Sequence, residues 1–266
     1  MIHPIAVGST FTAHGHGKLV HYSTRALNLR FGDRILTIQS SNGVLTPSSV
    51  ILDIKSLPII EDATFDGASF ISDKLTFRIV ERVDMRLPET VPVDSQYFLN
   101  CLEPYVLQKK NSIMEAYRTV VLGQLPKYEM SSLENSIYRE QINVLSHSKT
   151  ILSAVRDLLG KGFGFTPSGD DFAVGVISVL SALNIDTKEF SRLFSSYGYE
   201  YSRTMLLDAT NRNYSEPLLE LLKAAQTQTI SQDKVQRLLR TGHSSGYDTL
   251  CGIIYSLKKY QEGYRK

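Results

Sequence analysis

Two short segments in the C-terminal half combine glycine, serine and aspartate in a pattern that could bind a small anion. The first, TPSGDD, spans Thr166–Asp171, and the second, HSSGYD, spans His243–Asp248. Both fit S-G-x-D-x-x-x-G, each follows a Leu-Leu pair, and each opens an apolar helical pattern. The shared context predicts a pseudo-repeat, or two loops that converged on one task.

The chemistry of such a loop follows from the start of a helix. The first backbone N–H groups of a helix lack partners within it and carry partial positive charge, which favours a carboxylate or a phosphate. Glycine lets the backbone approach a ligand closely, and serine or threonine adds a hydroxyl. The pattern predicts that the substrate or anion is bound by Gly162, Gly164, Thr166, Ser168, Gly169, Ser244, Ser245 and Gly246, together with three aspartates.

These aspartates, Asp170, Asp171 and Asp248, need a different partner from the anion, because a carboxylate repels it. They could accept hydrogen bonds from ligand N–H groups, or hold a cation that bridges to the anion. No cofactor is evident, although a divalent cation such as Mg²⁺ would fit the second role. Asp171 is the carboxylate candidate for a catalytic role. His243 is the candidate for proton transfer as a neutral donor or base, and its alternative is a surface loop histidine.

A purely structural interpretation of the two loops stands beside the functional one. Ser168-x-x-Asp171 and Ser245-x-x-Asp248 both match a capping box, and acids in a first turn complement the helix dipole. Thr166-Pro167 could equally be the N-cap and first residue of a helix. However, the three glycines at 162, 164 and 169 exceed what a cap requires.

A second histidine-containing segment, AHGHG, raises the question of a metal site. His14 and His16 could share a strand face and bind a metal, but no cysteine or clear third ligand accompanies them. A glycine-flanked turn is the alternative that we favour. Cys101 and Cys251 lack metal-site spacing and are too few for a disulfide framework, which indicates a reducing compartment.

Composition narrows the classes of partner. With 29 basic and 27 acidic residues the formal net charge is +2, and no block of Lys and Arg argues for nucleic acid. The N-terminus lacks the pattern of a signal peptide, and the apolar stretch Phe172–Ile185 is short for a bilayer. We therefore expect a cytoplasmic protein with neither a nucleic-acid nor a membrane partner.

The elements that must position these loops change in type along the chain. The first third predicts four strands bounded by turns, at Lys18–Ser23, Arg34–Gln39, Ser49–Ile54 and Lys74–Val80. They predict an antiparallel sheet or a small barrel.

The proline-containing segment Arg86–Ser95 is the best boundary, and helical periodicity follows it. Helices are predicted at Ser148–Gly160, Asp170–Leu183, Lys188–Leu207, Glu216–Ala225, Gln232–Leu239 and Tyr247–Tyr260. The fold class is thus α+β, with a β-rich domain over residues 1–90 and a mainly helical domain over residues 95–266 that carries both loops.

At the two loops the sequence resembles the bacterial AllH-like family, which includes the AllH-type subunit of oxamate carbamoyltransferase. The family pattern is matched by GKGFGFTPSGDDF (Gly160–Phe172) and GHSSGYD (Gly242–Asp248), and more weakly by STRALNL (Ser23–Leu29). Phe165 and Ala173 stand where the family pattern has leucine, a departure that should affect packing.

The resemblance implies a transferase subunit that works with two other, unrelated subunits in anaerobic allantoin breakdown, a branch of purine degradation. The implied reaction moves a carbamoyl group from oxalurate to phosphate, which gives oxamate and carbamoyl phosphate. Two alternatives remain open. One is a non-catalytic small-anion-binding or assembly subunit, and the other is a Mg²⁺-dependent phosphotransferase, for which no nucleotide motif is visible.

Overall fold

The computed structural model describes residues 2–107, 113–123 and 130–263. Its N-terminal part contains eight strands, whereas the sequence pattern predicted four. They are β1 Pro4–Val7, β2 Gly15–Tyr22, β3 Ala26–Phe31, β4 Arg34–Gln39, β5 Ser49–Leu52, β6 Asp62–Phe65, β7 Ser69–Ile71 and β8 Thr76–Arg78. The pattern missed β1, β3, β6 and β7. Three of these strands have only three or four residues, and the fourth, β3, follows β2 after a short turn.

The strands form one sheet in the order β1-β5-β4-β3-β2-β6-β7-β8. All neighbours are antiparallel except β4 and β5, which pair in parallel. The backbone N–H of Ile2, just before β1, donates to the carbonyl of Thr76 in β8 at 3.1 Å. The two ends of the sheet therefore approach each other, and the sheet is a nearly closed barrel.

The interior of this sheet is filled by buried apolar side chains from most of its strands. Phe11, Phe65 and Phe77 pack as tilted rings, and Phe70 stacks on Phe77 with 4.8 Å between ring centroids. All four phenylalanines are buried. The aromatic core explains why short strands suffice to hold the sheet.

The described residues that follow the sheet are mainly helical. The helices are α1 Ser95–Leu102 with a 3₁₀ turn at Glu103–Leu107, α2 Ile113–Leu122, α3 Ser132–His147, α4 Ile151–Leu158, α5 Ser168–Ala182, α6 Lys188–Ser195, α7 Glu200–Thr210, α8 Glu216–Gln226, α9 Gln232–Leu239 and α10 Ser245–Gln261. The predicted α+β class is confirmed, with a barrel-like sheet first and helices after it.

One predicted helix is wrong in its extent. The stretch Lys188–Leu207 is divided into α6 and α7, which are separated at residues 196–199. Gly198 lies in this break, and its low helix propensity favours an interruption there. The helices α1 to α3 were not predicted from the sequence.

The chain forms two compact units. One comprises Met1–Arg86 with Tyr197–Leu219, and the other comprises Leu87–Ser196 with Glu220–Lys266. The predicted division into domains 1–90 and 95–266 stays a prediction. Among the described residues, no helix is long and apolar enough to cross a membrane.

Candidate functional site

The first loop is held against the end of the helix that precedes it. α5 begins at Ser168, and the second residue of that helix, Gly169, lies on the carbonyl of Leu158 at the end of α4. A Cβ at position 169 would stand 1.8 Å from that carbonyl oxygen, so only glycine fits. The connecting loop uses Gly160, Gly162 and Gly164 at positive φ, where other residues are strained.

The second loop is built in the same way. α10 begins at Ser245, and its second residue, Gly246, lies on the carbonyl of Leu238 in the last turn of α9. A Cβ at position 246 would stand 2.0 Å from that oxygen. Gly242 takes a positive φ of 60° in the loop. Both loops therefore bring a helix start close to the end of the preceding helix, which supports the predicted pseudo-repeat.

The two helices that follow the loops pack side by side in the interior of their unit. All fifteen residues of α5 are buried. A Cβ on Gly175 would lie 2.1 Å from the carbonyl oxygen of Thr249, and a Cβ on Gly252 would lie 2.0 Å from that of Phe172. This close approach of α5 and α10 places their N-terminal loops together.

The loops meet through hydroxyl groups. The Thr166 hydroxyl donates to Oδ2 of Asp171 at 3.0 Å, and its Oγ1 lies 3.4 Å from Oγ of Ser245. Thr166 and Ser245 are half-buried, whereas Asp171 is only 5% exposed. The Thr166 hydroxyl therefore links a buried carboxyl of the first loop to the Ser245 hydroxyl of the second.

Asp171 has an environment that disfavours its charge. Burial raises the pKa of Asp171 well above its usual value, and the nearby Asp248 carboxylate raises that pKa further. The hydroxyls of Ser245 and Thr166 hydrogen-bond to the carboxylate and lower the pKa in part. A buried carboxyl whose pKa is raised holds its proton more readily than an exposed one, which makes Asp171 a candidate general acid.

The other two aspartates each accept a backbone N–H through Oδ1. Oδ1 of Asp170 accepts the backbone N–H of Gly160 at 2.9 Å. Oδ1 of Asp248 accepts the backbone N–H of Ile113, the first residue of α2, at 2.8 Å. Both residues are fully buried. These bonds tie the start of α5 to the end of α4 and the start of α10 to the start of α2. The predicted ligand-binding role of Asp170 and Asp248 stays a prediction.

Neither loop forms the capping box that its sequence pattern matches. Pro167 is the N-cap of α5 and Ser244 is the N-cap of α10, and in this described region neither side chain makes a capping hydrogen bond. Ser168 and Ser245 are instead the first helical residues, and the Thr166 hydroxyl is bonded to the Asp171 side chain. The dipole-complementing role of the acids remains consistent with their place in the first turns.

The remaining predicted residues lie around these contacts. Ser168 is buried and packs against Gly162. A Cβ on Gly162 would stand 2.9 Å from Ser168 Oγ. Ser244 is half-buried and His243 is exposed in the second loop. Their proposed roles, and that of Gly164, stay predictions.

Two exposed aromatic residues of the first loop were missed as candidates by the sequence reasoning. Phe163 is 51% exposed and Phe165 is 40% exposed, and both lie between the loop glycines and Thr166. The expected packing effect at Phe165 therefore concerns a partly exposed ring, whereas Ala173 is fully buried in α5. The alternation of glycine and phenylalanine was the signal that could have identified them, since large exposed rings beside a site often contact ligands.

The histidines near the N-terminus lie in the barrel-like sheet. His14 directly precedes β2, and His16 lies within it, paired with Thr64 of β6. Gly15 takes a positive φ of 94°, but the glycine-flanked segment is the start of a strand and not the predicted turn. Across the described ranges, no group of three or more His, Cys, Asp or Glu side chains is placed to hold a metal ion.

Comparison with known proteins gives one match. No curated protein and no solved structure matches the chain significantly. Residues 158–257 match the profile of a family described as "AllH: Oxamate carbamoyltransferase subunit AllH". The matched range includes both loops, all of α5 and α10 up to residue 257. The resemblance to the AllH family is thus confirmed for residues 158–257, the part of the chain that builds the candidate site.

Proposed function

We propose that the protein is a subunit of an oxamate-carbamoyltransferase-like enzyme and that the two loops bind its small carboxylate, amide or phosphate substrates. The family match supports the role of a subunit. The observation that carries the site is the hydroxyl contact between the loops, in which Thr166 bonds Asp171 and lies 3.4 Å from Ser245. Two sequence motifs of one family thereby contribute to one cluster.

The chemistry of the cluster suits substrates that combine an acid with an amide. Backbone N–H groups at the starts of α5 and α10 favour a carboxylate or a phosphate. The Asp171 carboxyl and the two hydroxyls can exchange hydrogen bonds with amide N–H groups and carbonyl oxygens. Oxalurate and oxamate carry both kinds of group, and carbamoyl phosphate carries an anion and an amide.

In this proposal the pathway is allantoin breakdown, and the chain acts with other subunits of the same enzyme in the cytoplasm. Oxalurate and phosphate are converted into oxamate and carbamoyl phosphate. A divalent cation such as Mg²⁺ would act, if required, as a bridge between a carboxylate and a substrate anion. A non-catalytic anion-binding role would use the same loops without turnover.

Thermal melts with phosphate, oxamate, oxalurate and carbamoyl phosphate test the proposal. A ligand that binds only the folded state stabilises it by RT ln(1 + [L]/Kd), about 2.7 kcal/mol at a hundredfold excess over Kd. We expect a rise in melting temperature with at least one of the four compounds. The absence of any shift at millimolar concentration would contradict an anion site, and binding without turnover in the assembled enzyme would favour the non-catalytic role.

A further inference from the structure

The start of α5 has one backbone N–H group that is not used within the protein. The N–H of Gly169, the second helical residue, donates to the carbonyl of Lys161 at 2.9 Å, and the next two N–H groups donate to the carbonyl of Pro167 at 2.8 and 3.3 Å. In the described part of the chain, the N–H of Ser168 donates to no group. Of the first four N–H groups of α5, that of Ser168 is therefore the one that can bind an anion.

The side chain of the same residue is also unusual. Ser168 is 6% exposed, yet its hydroxyl forms no hydrogen bond with any residue that the structure describes. Buried hydroxyls normally have a partner, and Ser178 of the same helix donates to the carbonyl of Gly175 at 2.7 Å. The unbonded hydroxyl of Ser168 is explained if its partner comes from outside the chain.

Both donors of Ser168 lie on the side that faces Gly162. A Cβ on Gly162 would stand 2.5 Å from the backbone nitrogen of Ser168 and 2.9 Å from its Oγ. Any other residue at position 162 would therefore cover both donors, and it would also be strained by the positive φ of 137°. The glycine keeps one N–H and one O–H accessible from the same side.

From this geometry we infer that an oxygen atom of the substrate anion binds at Ser168, where it accepts hydrogen bonds from the backbone N–H and from the Oγ hydroxyl. We call these two donors, with Gly162 beside them, the Ser168 subsite. The inference rests on the proposed function and adds to it the point at which the anion is held. The ligand group is the oxyanion of a phosphate or a carboxylate, which can accept both bonds and complements the start of a helix.

The acidic residues of the first turn are compatible with an anion at this point. Burial and the nearby Asp248 raise the pKa of Asp171, which favours its neutral form, and a neutral carboxyl does not repel an anion. Oδ1 of Asp170 accepts the backbone N–H of Gly160 at 2.9 Å, so that carboxylate is bonded to the end of the preceding helix. The Ser168 subsite therefore answers the question of how an anion can bind beside three aspartates.

The second loop repeats the backbone but not the subsite. The N–H of Gly246 donates to the carbonyl of Thr241 at 3.1 Å, as that of Gly169 does to Lys161. However, Ser245 is half-buried, and its hydroxyl lies 3.4 Å from Thr166 Oγ1. The second serine therefore contributes to the contact between the loops, and we assign the anion to the first.

Calorimetric titration of the full-length chain with inorganic phosphate and, separately, with oxamate tests the Ser168 subsite. Ser168→Ala removes the hydroxyl donor and should weaken binding of the anion by about tenfold or more. Gly162→Ala places a Cβ over both donors and should weaken binding of the same ligand at least as much. The ligand whose affinity falls in both variants is the one held at Ser168, which distinguishes a phosphate from a carboxylate.

Two matched variants control for effects on the fold. Ser178→Ala removes another buried hydroxyl of α5, one that is bonded to its own helix. Gly15→Ala introduces a side chain at a positive φ of 94°, where a Cβ meets nothing within 4 Å. Both should bind phosphate and oxamate with wild-type affinity. Thermal melts show whether each variant is folded, and if Gly162→Ala is not, Ser168→Ala alone decides the result.

The outcomes separate this inference from the proposed function. Wild-type affinity of folded Ser168→Ala for both ligands would overturn the subsite, while the proposed function would stand. Phosphate binding that depends on Ser168, in an assembled enzyme that does not convert oxalurate, would instead sustain the subsite and refute the substrate assignment. Failure of the wild-type chain to bind either ligand would overturn the subsite together with the anion site of the proposed function.

Discussion

Gly175 of α5 and Gly252 of α10 each lie against the backbone of the other helix, at equivalent positions of the two S-G-x-D-x-x-x-G motifs. A Cβ on Gly175 would stand 3.0 Å from the backbone nitrogen of Ile253, and a Cβ on Gly252 would stand 3.0 Å from that of Val176. The contact is reciprocal, so the last glycine of each motif sets the distance between the helices. This explains why the glycine recurs seven residues after the serine.

Substitution of either Gly175 or Gly252 by alanine should destabilise the protein. The added Cβ meets a backbone carbonyl oxygen of the neighbouring helix at about 2 Å for Gly175→Ala and for Gly252→Ala, and backbone moves less readily than a flexible side chain. We expect a loss of about 1–3 kcal/mol or more in the free energy of unfolding for each. Urea unfolding followed by circular dichroism measures it.

Gly198→Ala is the matched control, because a Cβ there meets nothing within 4 Å and its φ is not positive. It should change stability by less than about 1 kcal/mol in either direction. Wild-type stability in Gly175→Ala and Gly252→Ala would show that the helices do not approach as closely as described.

The sequence pattern predicted the loops and the helices that follow them because their periodicity and glycine placement are local signals. The S-G-x-D motif and the apolar run after it indicated α5 and α10 directly. The contact between Thr166 and Ser245 could not be derived in this way, because it joins residues 79 positions apart. It depends on the packing of Gly175 and Gly252, which a single sequence does not reveal.

The barrel-like sheet was predicted only in part for a related reason. The missed strands β6 (Asp62–Phe65) and β7 (Ser69–Ile71) have only four and three residues, too few to show alternation by themselves. The parallel pairing of β4 with β5 also depends on where the chain returns to the sheet. Strand number and closure are therefore properties of the whole sheet.

Replacement of Asp171 by asparagine should separate ligand binding from stability. Burial and the Asp248 charge already disfavour ionised Asp171, so the folded state should survive loss of that charge. Asparagine replaces one carboxyl oxygen by an amide N–H donor, so loss of a hydrogen bond between that oxygen and the ligand should weaken binding by roughly 0.5–1.5 kcal/mol, which is about twofold to tenfold. A melting curve and a titration with oxamate or phosphate on Asp171→Asn measure both effects.

Asp94→Asn is the control for an aspartate that only caps a helix. Asp94 accepts the backbone N–H groups of Gln96 and Tyr97 at the start of α1. Asparagine is also a good N-cap, so stability should fall by no more than about 1 kcal/mol, and affinity should be unchanged. If Asp171→Asn binds the ligand as tightly as the wild type, Asp171 does not bind the ligand and its role is structural.

Asp208 should give the protein a pH-dependent stability. Its Oδ2 accepts the Thr10 hydroxyl at 3.1 Å, and its Oδ1 lies 3.4 Å from a guanidinium nitrogen of Arg34. Burial raises the pKa of Asp208 from 3.8 to about 6, although Arg34 and Thr10 act in the opposite direction. The raised pKa means that the folded state binds the Asp208 proton more tightly than the unfolded state does. The stabilisation that this proton gives the folded state is therefore full below pH 3.8 and is lost as pH rises through about 6.

The size of this effect is about 3 kcal/mol across that window, from 1.36 kcal/mol per pKa unit. Asp208→Asn removes this pH dependence. Between pH 4 and pH 7 the wild type should therefore lose stability relative to the variant by about that amount. Urea unfolding at several pH values measures the difference. Asp73→Asn, at an exposed position, is the control, and a pH-independent difference for Asp208→Asn would contradict the raised pKa.

The most direct test of a single site built from both loops is a double-mutant cycle on ligand affinity. Thr166→Val and Ser245→Ala each remove one hydroxyl, one from each loop, and both hydroxyls act on Asp171. Calorimetric titration with oxamate and with phosphate should show weaker binding in each single variant. In the double variant the effects should be non-additive by at least about 0.5 kcal/mol, as for residues in one network. Wild-type affinity in all three variants, or losses that simply add, would contradict the single site.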